Sequence, residues 1–228
     1  MELFSVIIGE LFEGFGNTLL LFAVTLVFAL VLGLLLAFGA MSKFKPLKYA
    51  VAGLVWIIRG TPLMLQVLLV SFIPKYVFGV FTKDFAAAIG FTINQTMFFF
   101  VAVAFVINYA CYFSEIYRAG IQSISAGQYE AGQVLGLTKT QVFFKVVLMQ
   151  VIRRILPPMS NEIITLVKDT ALAQVLGVMD LLNAAKHAVN QYVVLTPFLY
   201  AAIFYLIFNG ILTLVLGGIE KKLSYYKV

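Results

Sequence analysis

The sequence predicts an all-α integral membrane protein with five transmembrane helices and a helical hairpin on the cytoplasmic side between spans three and four. Three observations lead there. Of the 228 residues, 62% are hydrophobic and only 11% are charged, whereas a soluble domain carries about 25% charged residues. Apolar runs recur along the chain, and about 20 such residues cross a hydrocarbon core of roughly 30 Å. The basic residues fall in short clusters between those runs, which is how membrane topology is written in a sequence. At this length, 1–228 is expected to be a single transmembrane domain.

The N-terminal residues carry Glu2, Glu10 and Glu13 and no Lys or Arg, so they do not read as a signal peptide. Phe4, Ile7, Ile8, Leu11 and Phe15 recur at helical spacing, which predicts a short helix over 1–16 lying on the outer membrane surface. Gly14 and Gly16 are expected to loosen the chain before the first span. The spans are expected at 18–41, 49–74, 92–118, 157–179 and 196–219. The apolar run containing the third begins near Phe85, so its start belongs to the outer interface.

Direction follows from the loops. Lys43, Lys45 and Lys48 follow the first span. Arg118, Lys139, Lys145, Arg153 and Arg154 lie between the third and fourth, and Lys221, Lys222 and Lys227 follow the fifth. The remaining loops hold Lys75, Lys83 and Lys186. The bias places the N-terminus outside and the C-terminus in the cytoplasm of a multi-pass protein. The net charge of +6 is therefore a topology signal and not a nucleic-acid footprint.

Residues 122–156 form a connection far longer than the common two to eight residues. Ser125 and Gln128 have capping-box spacing, with Ile124 and Tyr129 as a hydrophobic staple. Thr138 and Gln141 repeat the box, with Leu137 and Val142 as the staple. Gly136 is placed to end the first helix in the left-handed conformation. Two short helices are expected, over 126–135 and 139–154, with Pro157-Pro158 ending the second and starting the fourth span.

Four charges interrupt the apolar spans: Arg59, Glu115, Lys168 and Asp169. Ionisable groups at membrane depth are costly and functional by default. At 1.5 Å per residue, Arg59, Glu115 and Asp169 lie about 15, 12 and 17 Å from the cytoplasmic side. Arg59 suits a carboxylate through its bidentate fork, and Glu115 or Asp169 suits an ammonium group. Thr61, Gln66 and Thr170 are neighbouring donors and acceptors. The alternative is structural: Arg59 with Glu115, or Lys168 with Glu115, as helix-to-helix ion pairs. Pro62 is expected to loosen the second span and free backbone carbonyls near Arg59.

Enzyme chemistry finds little support. With one cysteine, Cys111, and one histidine, His187, the chain has no Cys/His metal spacing and no nucleophile–base pair. Cys111 reads as a small hydrophobe and His187 as a loop or interface residue. On its pattern the capped hairpin reads equally as a docking element or as an amphipathic connector; a passive channel or secondary transporter has no need of the former, and a purely structural scaffold has no need of charges in mid-membrane.

The loop residues Glu130-Ala131-Gly132, Gly136, Val146 and Leu148 resemble the cytoplasmic motif of ATP-binding cassette import permeases, which begins Glu-Ala-Ala and ends near Ile-x-Leu-Pro. Gly132 departs from the usual Ala, and Met149 from the usual Pro. Arg59-Gly60-Thr61-Pro62-Leu63 with Gln66, the block from Asn108 to Tyr112 with Glu115, Arg118 and Gly120-Ile121, and the stretch from Asn161 to Leu172 resemble polar amino-acid permeases of the histidine, glutamine, arginine and cystine type. The resemblance implies ATP-driven import of a polar amino acid across the bacterial cytoplasmic membrane. It implies two ATPase subunits, a second permease copy or similar sister chain, and an extracytoplasmic amino-acid-binding protein. ATP and Mg would sit on the ATPase, with no cofactor in this chain, which lacks a Gly-x-x-x-x-Gly-Lys-Ser/Thr loop. The hairpin would then be the coupling helix. Ser125 and Gln128 cap it, Glu130 contacts the ATPase, Ala131 and Gly132 allow close approach, and Gly136 sets the angle between its two helices.

Overall fold

A computed structural model describes residues 2–223; Met1 and residues 224–228, including Lys227 of the last basic cluster, lie outside the described residues. Among the described residues every regular element is helical: α1 (Glu2–Ala40), α2 (Lys45–Arg59), α3 (Leu63–Phe78), α4 (Thr82–Ile89), α5 (Ile93–Gln122), α6 (Ala126–Val134), α7 (Lys139–Val142), α8 (Leu148–Asp169), α9 (Leu181–Tyr192) and α10 (Thr196–Leu223). A π-helical turn, Phe143–Val147, joins α7 to α8, and a 3₁₀ stretch, Thr170–Leu176, follows α8.

The expected separation of a surface helix at 1–16 from span 18–41 is not found: α1 is one unbroken helix. Tertiary packing overrides the two glycines. A Cβ on Gly14 would lie 2.7 Å from Ala184 Cβ and 2.9 Å from the Asp180 carbonyl oxygen, so this glycine admits α9 instead of bending α1. Ile7 and Leu11, on the face expected to meet lipid, are buried with Leu181, Ala184, Ala185 and Ala201. The helix α9 itself falls where the sequence reading expected a plain loop. Its N-cap Asp180 accepts from the amides of Leu182 and Asn183 at 3.1 and 3.2 Å, the standard exchange at a helix start. Thr18 Oγ1 accepts from the Leu181 amide at 3.0 Å, tying α9 to α1. His187 is exposed on α9.

The span expected at 49–74 is two helices bent by 111° at Gly60-Thr61-Pro62. Proline has no N–H to continue the ladder, so the carbonyls ahead of it need other partners. The short α4 ends on Gly90 in the left-handed region. Thr92 and Gln95 then form a reciprocal capping box, which starts α5 at Ile93.

The long helix α5 is the hub. Val101, Phe105, Tyr109 and Phe113 are buried on it, packed with Leu21, Ala29, Val67, Leu166 and Val167. Among the described residues three helical segments are long and apolar enough to cross a membrane, Leu3–Ala40, Ile93–Gln122 and Thr196–Leu223, and the bent α2–α3 pair is a fourth if counted as one broken span. The segment expected at 157–179 falls on α8 and the 3₁₀ stretch and carries Glu162 as well as Lys168 and Asp169. Pro157-Pro158 was expected to end one helix and start another, yet α8 runs through both. Proline in a membrane helix is tolerated where water or neighbouring groups take up the freed carbonyls, and both prolines are exposed here.

Candidate functional site

Polar side chains recur on α5 at Asn108, Tyr112, Glu115 and Arg118, three or four residues apart and so along one stripe of the helix. This stripe meets the α2–α3 bend. Gln66, buried on α3, donates from Nε2 to Ile58 O at 2.7 Å, Thr61 O at 3.0 Å and Thr61 Oγ1 at 2.9 Å. Asn108 Nδ2 donates to Gln66 Oε1 at 2.9 Å. Thr61 Oγ1 donates to Ile57 O at 3.0 Å. The carbonyls expected to be freed near Arg59 are thus answered by Gln66 and Thr61, and Asn108 locks Gln66 in place. These bonds close the bend and occupy the polar atoms of Gln66 that the sequence reading offered to a ligand.

Next to the bend, Glu115 accepts from Arg118 Nε at 2.9 Å and Nη2 at 2.6 Å. Arg59 Nη1 reaches the same carboxylate at 3.6 Å, and its guanidinium lies over the Tyr112 ring at 5.1 Å from the centroid. Of the two structural ion pairs considered, Arg59 with Glu115 is present. Lys168 is exposed and makes no such pair with Glu115. Arg118 holds the shorter, bidentate contact, so Arg59 is the more loosely held cation. Its side chain is 42% exposed.

A second group sits on α8. Tyr109 donates from its hydroxyl to Asp169 Oδ2 at 2.7 Å, joining α5 to α8. Thr170 is fully buried and donates to Val167 O at 2.6 Å, so it faces the core. Glu162 stands two turns before Asp169 on the same face of α8 and within electrostatic reach of both Asp169 and Arg59. An open cavity of about 460 Å³ between α2, α5 and α8 is lined by Arg59, Tyr112, Glu115, Arg154 and Glu162. The structure therefore brings Arg59 and Glu115 together at one cavity and leaves Thr61, Gln66, Asp169 and Thr170 outside its lining. Sequence reasoning passed over Glu162, although a carboxylate seven residues before Asp169 was visible in the sequence. It also missed the Tyr109 contact, which a pattern of residues does not encode.

The hairpin packs around Ile124, Val142, Val147 and Val151. Gly136 adopts φ +77° and ends α6, with the Leu137 amide donating to Gly132 O at 3.0 Å, as expected. The Thr138–Gln141 box is present. The Ser125–Gln128 box is not: Ser125 precedes α6 without a side-chain cap bond, and Gln128 Oε1 instead accepts from Gln150 Nε2 at 3.1 Å. The expected helix over 139–154 is divided by the π-helical turn. Glu130 and Ala131 are exposed. Gly132 is buried, because a Cβ there would lie 2.4 Å from Val142 Cγ2. The close approach expected of Gly132 toward a partner is made instead within the hairpin. At the corner Val134 and Leu135 stand 88% and 78% exposed. Arg154 donates to the Ser123 carbonyl and ties the hairpin back to the end of α5. Among the described residues no group of His, Cys, Asp and Glu is arranged to hold a metal.

Comparison with known proteins agrees with this architecture. The model of the binding-protein-dependent transport system inner membrane component matches residues 29–225. The L-cystine transport system permease protein TcyB of Bacillus subtilis (strain 168) is 35% identical over 93% of this chain and 86% of its own length. The arginine transport system permease protein ArtQ of the same organism is 34% identical over 93% of this chain and 91% of its own. A crystal structure of an amino acid ABC transporter with histidines superposes with a TM-score of 0.80 at 29% identity, covering 96% of both chains. With the matched region spanning the bent α2–α3 pair, the hub helix and the hairpin, this chain belongs to the family of inner membrane components of binding-protein-dependent transport systems.

Proposed function

We propose that this chain is the permease subunit of an ATP-binding cassette importer that carries a polar amino acid across the bacterial cytoplasmic membrane. The observation that carries the reading is the partial exposure of Arg59, Glu115, Glu162 and Asp169 at the level of the apolar helices. Charges facing lipid cost several kcal/mol each, so this face is suited to a second subunit and a water-filled path between two copies. A cation set beside carboxylates complements a zwitterion, and the cystine and arginine in the names of the relatives share the α-amino acid group. Arg59 is the candidate for the carboxylate, with Glu115, Glu162 or Asp169 for the ammonium group.

The five-span topology is retained in this reading, with α2–α3 as one broken span and α8 with its 3₁₀ extension as the fourth. The N-terminus lies outside and the C-terminus in the cytoplasm. The α6–α7 hairpin docks on an ATPase subunit that holds ATP and Mg, through Glu130, Ala131 and the exposed Val134 and Leu135 corner. An extracytoplasmic binding protein delivers the amino acid, and the second permease is a copy of this chain or a sister chain. The test is reconstitution with the ATPase and binding protein, followed by uptake of a panel of labelled amino acids. Uptake is expected only with all partners and ATP. Transport at full rate without the ATPase overturns the proposal.

A further inference from the structure

The transport reading leaves unused a cavity near the end of the last helix. It is about 500 Å³ in volume and lies between α8 and the last turns of α10, lined by Arg153, Leu156, Pro157, Gly217, Glu220 and Lys221 among others. Arg153 is its unusual member. Its Nη1 is buried and makes no hydrogen bond, and no carboxylate among the described residues is ion-paired to it. A charged donor shut away from water without an acceptor is more costly than a neutral one. The local structure therefore keeps a guanidinium at a cavity wall with part of its bonding capacity unmet.

The position of the cavity along the helix narrows the ligand. At 1.5 Å per residue the 28 residues of α10 span about 42 Å, against roughly 30 Å of hydrocarbon. The apolar part of α10 ends at Ile219, and Glu220, Lys221 and Lys222 follow. The cavity thus begins where acyl chains meet headgroups. Among the described residues its lining carries the basic Arg153 and Lys221 with the carboxylate Glu220, while Leu156, Pro157 and Gly217 make an apolar wall. Basic pockets between membrane helices on the cytoplasmic side suit anionic lipid headgroups.

We propose that this cavity binds an anionic phospholipid of the cytoplasmic leaflet, with the headgroup phosphate on Arg153 and an acyl chain along the Leu156–Gly217 wall. The choice of leaflet rests on the orientation given under the proposed function; the binding chemistry does not. Because α8 continues into the hairpin through the π-helical turn, a lipid bridging α8 and α10 braces the hairpin that docks on the ATPase in the proposed function.

The test uses the purified permease–ATPase assembly in a zwitterionic detergent, with thermal unfolding followed after adding dioleoylphosphatidylglycerol, dioleoylphosphatidylcholine or millimolar inorganic phosphate. Phosphatidylglycerol is expected to raise the midpoint by about 5 °C at saturation, and the other two to leave it unchanged. Arg153→Gln is expected to abolish the shift. So is Gly217→Leu, which adds bulk at the cavity wall, where a Cβ meets nothing within 4 Å, and so serves if Arg153→Gln does not fold. An equal shift with phosphatidylcholine, or a shift kept in both variants, overturns the site. An equal shift with inorganic phosphate overturns the lipid assignment in favour of a soluble anion. ATP-dependent uptake measured in parallel in vesicles of phosphatidylcholine and phosphatidylglycerol separates the two proposals: its absence counts against the importer, and the lipid-dependent shift is read independently of it.

Discussion

Gly132→Ala restores the residue that the Glu-Ala-Ala pattern carries, and the structure gives it a definite cost. The new Cβ would lie 2.4 Å from Val142 Cγ2, 3.1 Å from Cγ1 and 3.3 Å from Cβ. Carbon atoms pack best at about 3.5–4.0 Å, so the closest pair is short by more than 1 Å. Valine is stiff at χ1, and Val142 is 1% exposed in the cluster with Ile124, Val147 and Val151. Relief therefore requires the two helices of the hairpin to separate. Overpacking of this kind costs about 1–3 kcal/mol, and replacing glycine in a helix returns about 0.5–1 kcal/mol. The net expectation is a loss of about 1 kcal/mol, and at most about 2.5 kcal/mol, localised to α6 and α7. Val142→Ala in the same chain removes both Cγ atoms and should recover most of that loss, giving a coupling of at least about 1 kcal/mol between the two positions. Hydrogen exchange of the 126–134 amides in the assembled transporter reads the local effect, and uptake per ATP hydrolysed reads its consequence. Unchanged or slower exchange in Gly132→Ala alone would refute the packing argument.

Three further outcomes follow from the same geometry. Gly136→Leu forces a branched side chain into φ +77°, which costs about 1–2 kcal/mol; uptake per ATP hydrolysed should fall, and intact coupling would show that the angle Gly136 sets between the hairpin helices does not matter for coupling. Gln66→Leu orphans the Thr61 carbonyl, at about 1–3 kcal/mol, and leaves the Ile58 carbonyl to the Thr61 amide and hydroxyl alone; the purified assembly should unfold several degrees lower, and an unchanged midpoint would show that water closes the bend instead. Asp169→Asn keeps an acceptor for the Tyr109 hydroxyl but removes the charge; in normally assembled protein the apparent substrate affinity should drop at least tenfold, while unchanged affinity and rate would exclude Asp169 from the amino-acid path.

Much of the hairpin was legible because its signals are local. A capping box, a staple and a left-handed glycine act within a few residues, so Thr138, Gln141 and Gly136 behave as their spacing implies. The same logic fails at Ser125, where Gln150, twenty-two positions beyond Gln128, draws off the Gln128 side chain. Gly14, Gly16, Pro157 and Pro158 carry breaker signals of equal strength, but α9 packs on Gly14 and α8 runs on through the prolines. Local propensity amounts to about 1–3 kcal/mol per residue, which is within what packing supplies.

By itself the sequence determined the class of the molecule, the placing of its apolar runs, the polarity of its loops and the presence of costly charges in the spans, because hydrophobicity, charge and capping chemistry are properties of residues and their near neighbours. Only the tertiary structure decided the partners. It set Glu115 between Arg118 and Arg59, gave Asp169 to Tyr109, turned Gln66 and Thr61 to the backbone of a 111° bend, and buried Thr170. Where a polar side chain directs its hydrogen bonds depends on which helix faces it and at what height, and that is fixed by the packing of residues tens of positions apart.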